Sequence, residues 1–205
     1  MKFLKTKLLV TALILFAATS AFASLTYDVA VNTSGFSGTS GYLYLQYDPQ
    51  GGASPSTATV SAFYPSGILG PQDTVDVVNG SAVTGTLPGT VVFANTNPVN
   101  DYNQAITFGP GFRFVLSFSP PAPGGTSGSV STFSLGLFKD NLGNIALVNP
   151  TGSYAGTAFT INLNNDSTTS FSVMAPQASV PLPAALWLLG PGLAGLAGIR
   201  KRVKK

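Results

Sequence analysis

Phe112, Phe114, Leu116 and Phe118 stand two residues apart, with Arg113, Val115 and Ser117 between them. Side chains alternate across a strand, so this spacing gathers four large apolar groups on one face of a single strand. The period of two recurs along the chain. Residues 25–31 and 42–47 alternate, as do residues 57–63, where Val60, Ala62 and Tyr64 share a face opposite Thr59 and Ser61. Further on, the pattern returns with Phe133, Leu135 and Leu137 in 131–138, with Phe159, Ile161 and Leu163 in 157–163, and with Phe171 and Val173 in 169–174. Asn79-Gly80, between 75–78 and 82–87, is a hairpin signal, because both residues tolerate the positive φ of a type I′ turn. Asp140-Asn141-Leu142-Gly143 leads by another turn into 145–148, and the Pro- and Gly-rich segments 51–55 and 120–125 read as long loops. No stretch between residues 24 and 178 shows an apolar period of 3.6. About ten short strands separated by turn residues imply an all-β chain folded as an antiparallel β-sandwich, jelly-roll-like in its connections.

The two ends have a different grammar. Lys2, Lys5 and Lys7 precede the apolar run 8–18, and Ala21-Phe22-Ala23 completes an A-x-A pattern. This is the form of a secretory signal peptide, residues 1–23, cut after Ala23 and before Ser24. At the other end, residues 180–199 hold no charge over 20 positions. At about 1.5 Å per residue a helix of that length just spans the roughly 30 Å of a bilayer core. The helix is expected at about 184–199, kinked where Pro191 lies between Gly190 and Gly192. Arg200, Lys201, Arg202, Lys204 and Lys205 follow at once and hold the C-terminus on the cytoplasmic side. The expected plan is a signal peptide (1–23), an exported sandwich (24–175), a spacer (176–179) and a membrane-directed tail (180–205).

The tail VPLPAALWLLGPGLAGLAGIRKR resembles the VPLPA variant of the PEP-CTERM sorting signal of Gram-negative bacteria. In that family a short motif, a transmembrane helix and a basic tail are recognised and cut by a membrane protease, exosortase. Val180, Pro181, Leu182, Pro183 and Ala184 match the motif, with Leu182 where the Pro-Glu-Pro form carries its acidic residue. The resemblance is confined to the 26 residues from Val180 to Lys205. It implies an inner-membrane intermediate, cleavage near Pro183 and delivery to the cell surface or extracellular matrix, in a setting of exopolysaccharide and biofilm. About the activity of the exported part it implies nothing.

The net charge of +3 misleads, because eight of the ten basic residues lie in the terminal segments. Between them stand Arg113 and Lys139 against seven Asp, a balance of −5. No basic cluster exists to neutralise phosphates, so nucleic acid is not an expected partner. Cysteine and histidine are both absent. Disulfides, Ser-His-Asp or Cys-His catalysis and His-ligated zinc are therefore excluded.

What remains for chemistry is sparse. Asp73 and Asp76 are the candidates for an Asp-based hydrolase, although odd spacing on a strand points them to opposite faces. Asp140 and Asp166, each among Asn residues, are candidate ligands for a structural calcium ion, against the simpler reading that Asp and Asn satisfy their own turns. Tyr42, Tyr44 and Tyr64 are candidates for a carbohydrate platform if they face solvent; Trp187, in the tail, is the only tryptophan. The expected function is that of a non-enzymatic surface or matrix protein without a cofactor. The alternative is a carbohydrate-binding module at the cell surface.

Overall fold

A computed structural model describes residues 25–74, 82–128, 130–175 and 178–179. The signal-peptide residues Ala21, Ala23 and Ser24, the Asn79-Gly80 turn, Asp76, the sorting motif and the basic tail lie outside them. The strands are β1 (Leu25–Asn32), β2 (Ser40–Pro49), β3 (Thr57–Pro65), β4 (Ile68–Asp73), β5 (Val83–Gly85), β6 (Val91–Ala94), β7 (Asp101–Thr107), β8 (Gly111–Phe118), β9 (Val130–Phe138), β10 (Thr157–Asn164), β11 (Thr169–Val173) and β12 (Ala178–Ser179). One sheet runs β12-β1-β8-β3-β6-β5 and the other β11-β10-β9-β2-β7-β4, and the strand pairs in both are antiparallel. Among the described residues no helix is long and apolar enough to cross a membrane.

The pairings nest: β1 lies against β8, β2 against β7, and β3 against β6. Successive strands from β1 to β4 pass alternately between the sheets, so each hairpin-like pair is wrapped by the next. The apolar alternation explains why the sheets face one another. Val29 and Val31 of β1, Phe114 and Leu116 of β8, Leu43 and Leu45 of β2 and Phe133 and Leu135 of β9 are all buried. Aromatic rings close the gap between layers: Phe93 meets Phe133 edge-on at 6.0 Å, and Tyr47 lies 5.8 Å from Phe118. Fully burying each such side chain contributes about 1.5–3 kcal/mol, which makes this layer the main source of stability in a chain without disulfides.

Three strands escape the period-two reading. β4 contains Gly70 and Pro71, β6 is only four residues long, and β7 carries Asp101, Asn103 and Gln104 in buried positions. Residues 145–148, expected to form a strand, contribute a single bridge between Ala146 and Phe138. Phe171 and Val173 have the expected alternation but remain part-exposed, because β11 is an edge strand with no neighbour to cover its outer side. In the segment expected to be a spacer, Ala178 and Ser179 pair with Val31 and Ala30.

The largest departure concerns β3. Strict alternation puts Tyr64 on the face of Val60, but the register with β8 shifts between Ser61 and Tyr64. Ala62 takes φ +49 at this bulge, and the faces exchange. Phe63 turns inward, stacked on Phe112 at 5.5 Å and on Phe114 at 6.1 Å, while Ala62 and Tyr64 turn outward. A bulge adds residues to one strand only, so every side chain beyond it changes side.

Candidate functional site

The bulge borders a depression on the first sheet. On its outer face one rung of the ladder reads Ala30, Arg113, Tyr64 and the next reads Asp28, Val115, Ser61. Small side chains at Ala30 and Ala62 leave a hollow between the larger groups, a groove of about 430 Å³ lined by Asp28, Ala30, Ala62, Tyr64, Arg113 and Val115. Tyr64 stands 64% exposed along one wall. Arg113 is one of the two basic residues between the terminal segments, and here it sits on the middle strand of three. The chemistry gathered here is an aromatic face, a donor-only guanidinium and an acceptor-only carboxylate over an apolar floor.

The other tyrosines do not join it. Tyr42 and Tyr44 lie on the outer face of the opposite sheet, so the three do not form one platform. Tyr44 is 7% exposed, its ring 4.9 Å from that of Phe138 and beneath Gly143 of the following loop. That loop, not solvent, meets its face. Half-buried Tyr42 lines a smaller depression of about 280 Å³ with Ser40, Ile68, Thr107 and Lys139. Of the tyrosine candidates, only Tyr64 presents an open ring in the larger groove.

The Asp candidates are placed by their own turns. Asp140 accepts hydrogen bonds from the N–H groups of Ile145 at 2.6 Å and Asn144 at 3.1 Å. Desolvation pushes its carboxyl up, but the hydrogen bonds to it, those of Ile145 and Asn144 first, together outweigh this and hold the group below the usual range. Asp166 accepts from the hydroxyl of Thr168 at 2.6 Å and from its N–H at 2.9 Å, and those bonds lower its pKa in the same sense. Either carboxylate has oxygen lone pairs left for a hard cation, but the two stand in separate turns. Among the described residues no three or more His, Cys, Asp or Glu side chains cluster as a metal site. Asp73, at the end of β4, faces Asn103 across the strand pair, while its proposed companion Asp76 lies outside the described residues.

Two buried polar groupings were not legible in the pattern of residues. Asn95 receives the Ser56 N–H at 2.7 Å and donates to Ser54 O and Ser131 Oγ, each at 2.7 Å, tying the loop before β3 to β6 and β9. On the outer face of the second sheet, Gln46 donates to Asp101 at 2.9 Å and Asp48 accepts the Asn100 N–H at 2.7 Å. Burial pushes the Asp48 carboxyl up to about 6; the Asn100 bond opposes this and the nearby Asp101 charge adds to it. Asn103, 1% exposed, has no hydrogen bond to either atom of its side-chain amide. Only the unusual density of Asp, Asn and Gln at 100–104 could have marked this region in the sequence.

No family model, curated protein or solved structure matches this chain. The fold and its grooves are therefore the whole structural basis for a functional reading.

Proposed function

We propose that this chain is an exported, non-enzymatic surface or matrix protein that an exosortase-type protease releases from the inner membrane. We read its nested strand pairs as a jelly-roll-like sandwich. The observation that carries the proposal is the order of blocks at the C-terminus: Val180-Pro-Leu-Pro-Ala184, an uncharged run to Ile199, then five basic residues among the last six. A signal peptide would start export, the apolar run would halt it, and the basic tail would fix orientation. The sandwich would then lie outside the inner membrane until cleavage near Pro183 frees it to the cell surface or matrix, in an exopolysaccharide setting. Its core, held by burial in a chain without cysteine, suits that location.

The test compares two chains expressed in the producing cells, a Pro181→Ala, Pro183→Ala double variant and the protein with its native tail. The altered chain is expected to accumulate, uncut, in the inner-membrane fraction. Equal release of both chains would defeat the proposal.

A second reading, carbohydrate binding at the cell surface, is favoured by one observation: Tyr64 stands exposed beside Arg113 and Asp28 in a 430 Å³ groove. It is compatible with the first, because a matrix protein acts by holding its surroundings.

A further inference from the structure

Resting on that second reading, we propose that the groove over Ala30, Arg113 and Tyr64 binds a segment of a neutral, hexose-based polysaccharide, with Tyr64 as its stacking platform. The volume lies within the roughly 300–1,000 Å³ range of small-ligand sites, and an apolar floor with a few convergent polar groups is the usual composition of such sites.

Neutrality follows from the charges. Arg113 can only donate hydrogen bonds and Asp28 can only accept them, whereas every sugar hydroxyl does both. Adjacent hydroxyls of one ring can therefore satisfy the two groups together. A polyanion would satisfy Arg113 alone, would face Asp28, and would approach a segment with a −5 balance of charge. The C–H face of a hexopyranose is apolar and flat enough to lie on a tyrosine ring, while the hydroxyl of Tyr64 stays at the wet edge.

The backbone supports the assignment independently of the cavity. An alanine in the left-handed region is strained by its Cβ against the following carbonyl, and such strain collects where geometry serves a site. Here the strained residue is Ala62, whose bulge turns Tyr64 outward and itself lines the groove. Without it Tyr64 would fall on the core face, and Phe63, a ring without a hydroxyl, would stand opposite Arg113 instead.

The experiment is native affinity electrophoresis of the protein recovered from its producing cells, in gels containing hydroxyethylcellulose, dextran or galactomannan, with alginate as the polyanion. Retardation is expected in at least one neutral gel. Tyr64→Ala and Arg113→Ala should each weaken the apparent affinity ten-fold or more, while Tyr64→Phe, which keeps the ring, should hold it within about three-fold. Tyr64 and Arg113 are both exposed, which makes these substitutions compatible with the fold. Unretarded migration in all three neutral gels, retardation confined to alginate, or equal binding by Tyr64→Ala would each overturn the assignment. Correct tail processing without retardation would reject the groove alone, and a mis-sorted chain that still binds would reject sorting alone.

Discussion

At Asp48 the balance between burial and hydrogen bonding is visible as a pH effect. Its folded-state pKa of about 6 exceeds the ordinary carboxylate value near 4, so between those pH values the folded chain holds a proton that the unfolded chain has lost. The contribution to stability is therefore largest below pH 4 and declines as pH rises through 6. Asp140 and Asp166 act in the opposite sense, adding stability that is present above the ordinary carboxylate range and lost in more acid solution. Both are surface groups in water, which keeps their share small. Asp48→Asn retains an oxygen for the Asn100 N–H and removes the buried charge. Thermal unfolding should show the variant with the higher Tm at pH 7.5 and the two chains converging near pH 4. A variant that is less stable at pH 7.5 would mean that the charge is compensated by the fold.

At the scale of the strands, the same alternation that reveals the sandwich also conceals its groove. β8 and β9 are transparent because Phe112, Phe114, Leu116 and Phe118 in the one and Phe133, Leu135 and Leu137 in the other face a core at a period of two. β7 is opaque, since Asn103 and Gln104 are buried polar residues and Tyr102 uses its hydroxyl, donating to Gln104 at 2.7 Å and accepting from the Leu87 N–H at 2.8 Å. Tyr64 is misplaced by one face, because nothing in Ser61-Ala62-Phe63-Tyr64 announces a bulge; glycine would, but the residue with positive φ is Ala62. Tyr44 is misjudged for another reason: its cover comes from a loop about a hundred residues later, beyond the reach of any local pattern. The bulge makes its own prediction. Ala62→Gly removes the steric penalty of the left-handed backbone at some cost in unfolded-chain entropy, and denaturant unfolding should show a gain of up to about 1 kcal/mol. A loss of more than about 1 kcal/mol would show that Ala62 is not strained in the folded protein.

For the molecule as a whole, the last described strand and the groove meet on one sheet. Ala178-Ser179 pairs with β1 at Val31 and Ala30, so the last described residues lie beside the rung that carries Arg113 and Tyr64. The Val180-Pro-Leu-Pro motif begins at the very next residue. A short strand here would hold the C-terminus of the sandwich in a fixed place as the tail is cut and leave the groove on the body that is released. The terminal blocks stand out in the sequence because their apolar runs and basic clusters differ in composition from the sandwich between them, whereas the groove needed the register. The most direct measurement is the intact mass of the protein recovered from its producing cells, together with the fraction that contains it. The expected result is a chain beginning at Ser24 and ending within residues 180–184, found outside the inner membrane. A chain retaining Arg200 to Lys205 in the inner membrane would contradict it.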